Sequence, residues 1–447
     1  MDTAYKFIRT KFNGNVWSIP GAVMDKLMLK ENDDVILQCG SASTQAHIRK
    51  MHPNEADREM GVSANILKSL GIPEKISLQI KPSPNNIFRL GPVIGILTFA
   101  GHISNRLGYY RTYTNRMKDS GLLYVFRGRD INPYKRTIKG YFYDHAAKTW
   151  KLHEFPYPDT VIDRCYPNSY ISHKLLEQVI GPQKIFNKKS MINKMDFYKA
   201  LAADEALTAY IPKTQFFNQS SDLTNFLHKY PEIFLKPVNA MKGIGIVVVR
   251  KTGQGMLECR YSVKSKNFTS HIRSAAEIHT ILKNAVGRSR PYIIQQGVSR
   301  MTYMGGPFSF RTWAMKNGQG RWVMPGMFAK GTFGKGFLTN FTAGAELIPL
   351  KDLFDDIIPR IPYTKKQLVG LMENLTLKTA AALDKKYGPL GELGLDIVLG
   401  IKGSPWLIEA NGNPGNIPIF IQTEYPSWRN HVFQYPLDYA SFLAGFS

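Results

Sequence analysis

Two stretches near the start of the chain share one order of apolar and polar positions. Val23, Met24, Leu27 and Leu29 precede Val35, Ile36 and Leu37, and Ile66, Leu67, Leu70 and Ile72 precede Ile76 and Leu78. Each reads as a short helix followed by a strand, because apolar residues three and four apart line one helical face. Neither copy buries its apolar face alone, so the two are expected to intertwine into a small β-rich barrel over residues 1–84. Lys81-Pro82-Ser83-Pro84-Asn85-Asn86 reads as the linker that ends it. Residues 92–97 and 122–126 are continuous apolar runs, the pattern of strands buried on both faces. Residues 140–144 and 149–155 read as a hairpin, 160–163 as a further strand and 172–180 as a helix. This predicts an α/β domain over 85–184.

The character changes near Phe186, and residues 185–447 read as a third, α+β unit. A helix starts at Lys194, capped by Asn193, and is expected to run to about Ala209. A strand over 232–237 and a second ending at Val249 flank a glycine loop. Residues 291–298 form a strand running into a hinge-like segment, and 309–315 pairs with 321–327 about Asn317-Gly318. Leu368, Leu371, Leu375 and Leu383 stripe a long helix that stops near Gly388. Strand-formers at 393–399 and 406–410 then flank a polar, glycine-containing turn.

Composition narrows the function classes. At 447 residues the chain is too long for one core. No apolar run approaches the ~20 residues of a membrane span, and the first residues lack the apolar core of a secretion signal. Cys39, Cys165 and Cys259 are far apart and in no CxxC pair, which suits a reducing compartment and argues against structural zinc. Lys and Arg number 58 against 34 Asp and Glu, a net charge of +24. That favours anionic partners such as nucleotides, acidic polymers, nucleic acid or a membrane surface. No basic run dominates and no nucleic-acid-binding module is recognisable.

The last hairpin carries the densest chemistry. With a turn centred on Lys402-Gly403, Asp396 lies opposite Glu409, and Asn411 shares their face. Opposed carboxylates repel. A hard cation removes the repulsion, because Mg2+ takes oxygens from one or two carboxylates plus phosphate. A surface hairpin with scattered acids is the alternative, and the apolar runs around both acids weigh against it. Lys194 sits in a first helical turn, where the dipole disfavours a cation but favours a phosphate; a solvated lysine is the alternative. Lys236 ends a strand, and Gly243 and Gly245 leave amide N–H groups bare for phosphate oxygens, with Lys242 adding charge. A plain hairpin turn is the alternative there, and the GK[ST] of a P-loop is missing.

Taken in this order the motifs resemble the ATP-grasp fold, most nearly its YheC/YheD type, which is associated with endospore coats. The resemblance covers roughly residues 185–420, and the β-rich N-terminal domain fits the same family more loosely. It implies an ATP site between two α+β halves. Lys194 and Lys236 match the phosphate-binding lysines, and Gly243 and Gly245 the lid. Gln295, Gln296 and Val298 match the adenine hinge, and Asp396, Glu409 and Asn411 the Mg2+ ligands. Arg311 matches an active-site arginine near the reacting carboxylate. The usual pattern there is Asp-x-Arg, and this chain has Ser309-Phe310-Arg311. The implied activity is an ATP- and Mg2+-dependent ligase joining a carboxylate to an amine or thiol through an acyl phosphate, on a peptide or a spore or envelope component, in the cytoplasm or the spore. Two rivals stand beside it. One is a structural spore-coat protein with a relic nucleotide site, motivated by Ser309. The other is a nucleic-acid-binding protein, motivated by the charge.

Overall fold

The computed structural model describes residues 3–446 apart from 52–57, 100, 102, 166–169, 241–242, 254, 264–265, 287–289, 334–337, 342–343 and 415–425. Lys242 and the Gly334-Lys335-Gly336 part of a glycine-rich stretch therefore lie outside the described residues.

Seven strands between Ala4 and Gly91 close into a barrel. The two short helices fall where the repeat places them, at Gly21–Leu27 and Ala64–Leu70. Each ends on a left-handed residue, Met28 (φ 56°) and Gly71 (φ 62°), whose N–H bonds back to the last turn. The halves interlock. Val16–Ile19 of the first pairs with Glu59–Ser63 of the second, and Asp34–Cys39 with Ile87–Gly91. Residues read as a linker prove to be part of the wall. Lys81 to Ser83 end the Ile76–Ser83 strand, and Asn85 and Asn86 turn the chain at φ 62° and 56°, values asparagine tolerates. The barrel therefore runs on to Gly91.

The second sheet contains the parallel strands Leu122–Arg127, Val93–Thr98 and Thr160–Arg164. Every residue of Val93–Thr98 is buried. Val93 and Leu97 join the barrel core on one face; Ile94 and Ile96 pack with Tyr110 and Tyr113 of the Ser104–Met117 helix on the other. That second face also takes Phe433, Leu437 and Ala440 of the final helix, Pro426–Ala444. The carbonyls ending this helix are held by cations. Lys81 Nζ donates to Gly445 O at 2.6 Å, Arg89 to Ala444 O at 2.8 Å, and Lys184 to Leu443 O. Cations at a helix C-terminus complement its dipole.

Two antiparallel sheets make up the rest. One contains Thr214–Phe217, Tyr292–Gln296, Glu232–Pro237 and Val247–Lys251 in that order, continuing outward to Lys266–Ile272. The other contains Trp322–Gly331, Gly306–Lys316, Glu392–Leu399 and Pro405–Asn411. The long helix is Lys365–Tyr387, and Met372 rather than Leu371 is fully buried beneath it with Leu368, Leu375 and Leu383. The helix that starts at Lys194 is shorter than its sequence suggests. It ends at Ala202, and Asp204 caps a new one, Glu205–Thr208, by accepting from Ala206 N–H. In the Gly306–Lys316 hairpin, Gly320 (φ 70°) makes the left-handed turn, while Asn317 Oδ1 accepts from the N–H groups of Gln319 and Arg321. Among the described residues no helix is long and apolar enough to cross a membrane.

Candidate nucleotide-binding cleft

Strand Glu392–Leu399 lies at the centre of the site. Leu393, Leu395 and Ile397 face the helical core, which turns Asp396 to the other side. Asp396 is paired with Glu409 on one neighbour and Arg311 on the other. The Glu409 register has two compensating causes. The tight turn closes from Gly400 to Ser404, half a residue earlier than a turn centred on 402–403, and a bulge at Ile408 restores the pairing. Tyr198 OH donates to Ile408 O at 2.5 Å, so the helix that begins with Lys194 fastens the bulge.

Arg311 grips Asp396 with two parallel hydrogen bonds, Nε to Oδ1 at 2.6 Å and Nη2 to Oδ2 at 2.9 Å. Lys330, across the sheet from Ser309, approaches Oδ1 to 3.5 Å. Burial alone would raise the Asp396 carboxyl, but the charges of Arg311 and Lys330 outweigh it and hold it well below the usual carboxylate range. Burial also pulls Lys330 below the usual lysine range, partly opposed by Asp396. The repulsion expected between Asp396 and Glu409 is thus already relieved on the Asp396 side by the protein's own cations. Glu409 forms no ion pair within 4.0 Å among the described residues.

The facing sheet supplies Lys236, which is 6% exposed. Its Nζ donates to Gln295 Oε1 at 2.6 Å, and Gln295 Nε2 donates in turn to Thr214 Oγ1 at 2.8 Å. Burial lowers Lys236 to about 7; Lys194 and Arg300 act in the same direction, and Glu409 and Asp396 oppose it. Gln296 is fixed to Lys213 through both its N–H and its side chain.

The structure brings most of the expected residues together. Lys236, Gln295, Gln296, Val298, Asp396 and Glu409 line one cleft between the two sheets. Lys194 and Asn411 line a smaller adjoining hollow that shares Glu409. Lys194 Nζ donates to Ala240 O, just before the glycine loop. Gly243 and Gly245 take φ 75° and 74°, and a Cβ on Gly243 would come within 2.3 Å of Asn340, itself a wall of the cleft. Arg311 reaches the site through Asp396 rather than as a wall. Sequence reasoning gave no role to Lys330 or Arg300. Both arrive by register, Lys330 opposite Ser309 and Arg300 opposite Gly400. The signal within reach was alternation, since Arg300 lies two residues beyond Val298. Larger cavities against the barrel contain none of the expected residues.

The donor set fits a hard divalent cation. Each Asp396 oxygen keeps lone-pair capacity beyond its bond to Arg311, and among the described residues Glu409 forms no ion pair with a cation. Among the described residues no cluster of three or more His, Cys, Asp or Glu exists.

A family model described as YheC/D-like ATP-grasp matches residues 183–443. The endospore coat-associated protein YheD of Bacillus subtilis (strain 168) is 25% identical over 431 residues, 93% of this chain and 92% of that protein. YheC of the same organism, also named endospore coat-associated, is 25% identical over 344 residues, 75% of this chain and 92% of that protein. Among solved structures, D-alanyl-alanine synthetase A from Vibrio cholerae O1 biovar eltor str. N16961 aligns with 79% of this chain and 98% of its own, at TM-score 0.44 and 13% identity. D-cycloserine synthetase DcsG aligns with 78% and 99%, at TM-score 0.44 and 12% identity.

Proposed function

The chain belongs to the YheC/D-like ATP-grasp family, and on that premise we propose that it is an ATP- and Mg2+-dependent ligase joining a carboxylate to an amine or thiol. The charge balance of one cleft carries the reading. Lys194, Lys236, Arg300, Lys330 and Arg311 outnumber Asp396 and Glu409 around it, a surplus suited to a polyphosphate. In this reading Lys194 and Lys236 hold phosphate oxygens, the amides of Gly243 and Gly245 cover them, and Gln295, Gln296 and Val298 border the base. Asp396, Glu409 and Asn411 would hold Mg2+ through oxygen. When bound, the metal supplies charge neutralisation to the β- and γ-phosphates.

The carboxylate oxygen attacks the γ-phosphorus, the bond to the β-phosphate oxygen breaks, and ADP leaves. The amine then attacks the acyl carbon, phosphate departs, and the nitrogen loses a proton to give the amide. Arg311 holds Asp396 with two of its nitrogens. Its Nη1 and Cδ pack over Gly394, where a Cβ would come within 3.1 and 3.3 Å of them, so the glycine lets the guanidinium lie close against this strand beside Asp396. Residues 185–447 would house the chemistry and the preceding domains shape the choice of substrate. Both relatives are named as endospore coat-associated, and we extend that association to a peptide or envelope substrate.

The test is incubation with ATP, Mg2+ and a panel of peptides and amines, with mass analysis of products. ADP, phosphate and a condensed product are expected. ATP left intact with every acceptor overturns the ligase and favours a structural coat protein with a relic nucleotide site. One observation supports that second reading. Ser309, 1% exposed, hydrogen-bonds Thr339 at 3.0 Å where the related pattern has an aspartate.

A further inference from the structure

Arg300 is a cation without a carboxylate of its own. The acid that acts on it, Glu232, is already held by Arg250 at 3.2 Å and Arg260 at 3.7 Å. Among the described residues Arg300 makes no ion pair within 4.0 Å. Its guanidinium lies 5.5 Å from the centre of the Phe234 ring, the ring that Lys236 Nζ approaches to 5.4 Å. Phe234, Lys236 and Arg300 are all walls of the nucleotide cleft.

The backbone there is fixed. Met301 N–H donates to Leu399 O and Ile401 N–H to Ser299 O, both at 2.9 Å, and Arg300 bridges to Gly400 between them. Arg300 is thus tied to the end of the strand that carries Asp396, while Val298, two residues before it, faces the same cleft. A partly desolvated guanidinium on a rigid segment, with no internal anion, is placed to receive one from outside. Arginine suits phosphate because its planar fork donates two parallel hydrogen bonds.

We propose that Arg300 is a contact to the nucleotide's phosphates, a cation of this site beyond Lys194 and Lys236. The inference rests on the nucleotide reading above, and its test separates the two. ATP, ADP and adenosine are titrated by calorimetry into wild type, Arg300→Met and Arg300→Lys. Thermal midpoints are measured on the same proteins without ligand.

In Arg300→Met the affinity for ATP and ADP is expected to fall about 10- to 100-fold, the worth of a charge-assisted hydrogen bond, with adenosine affinity kept within about twofold. Arg300→Lys should retain an intermediate affinity, and it preserves the test if the methionine variant does not fold. The thermal midpoint of Arg300→Met should stay level or rise, since no internal ion pair is broken. Equal losses for ATP and adenosine, or a lowered midpoint with unchanged ATP affinity, would make Arg300 a structural residue and overturn the inference. Wild type that binds no ATP overturns the nucleotide reading itself.

Discussion

Arg311 and Asp396 face each other across paired strands and share two hydrogen bonds of 2.6 and 2.9 Å. Their side chains are only 15% and 8% exposed, so neither charge is well solvated if the other is removed. Arg311→Met is therefore expected to cost about 3–5 kcal/mol in urea denaturation, as when one partner of a buried pair is lost. The double variant with Asp396→Leu should recover much of that. A single variant as stable as wild type would show that the pair is not buried in solution.

Lys236 predicts opposite pH trends for stability and for binding. In the unfolded chain a lysine titrates near ~10.4, and in this fold Lys236 titrates at about 7. Between those values the unfolded chain holds the extra proton, so stability rises with pH there. The cost of the buried charge is full below pH 7 and fades above it. Phosphate prefers the charged lysine, so ATP affinity should fall as pH rises above 7, and binding should take up a proton. Calorimetry in buffers of different ionisation enthalpy reads that uptake directly. Lys236→Met should abolish it and weaken ATP binding by about 1–3 kcal/mol.

Glu409→Ala removes the carboxylate that has no protein cation of its own. Mg2+-dependent turnover is expected to disappear, while the thermal midpoint holds because no ion pair is lost. Turnover equal to wild type would exclude Glu409 as a metal ligand.

Gly243 and Gly245 occupy left-handed backbone, which costs other residues about 1–2 kcal/mol each. Replacing both by valine should depress ATP turnover by more than that stability loss explains. Amide exchange over residues 243–245 should slow when ATP and Mg2+ are added, because phosphate oxygens would accept from these amides. Exchange already slow without ligand would make the loop a rigid hairpin.

Local pattern made much of this legible. The two helix–strand units of the barrel, the apolar run at 92–97 and the long helix ending at Gly388 all follow from side-chain patterning. The Asp396–Glu409 pairing was also readable, although by a route the sequence hides. A turn shorter than expected and a bulge at Ile408 cancel, and a bulge leaves no compositional mark. Lys330 and Arg300 stayed invisible for a different reason. Their neighbours, Ser309 and Gly400, lie on other strands, and only sheet topology brings each pair together. The linker reading of 81–86 failed because proline and asparagine mark a tight turn inside a barrel as readily as an exit from one.

The helix over 426–444 has a consequence for how the molecule is made. Its end is gripped by Lys81 and Arg89 of the barrel, and Lys81 is 364 residues away from the carbonyl it holds. The barrel's own strands are close in sequence and can close early in synthesis. The face of the second sheet that receives Phe433 and Leu437 is covered early by the nearby Ser104–Met117 helix, and its remainder waits for a helix more than 300 residues further along. The barrel, already joined to the second sheet through Val93 and Leu97, is thereby also tied to the last helix of the fold.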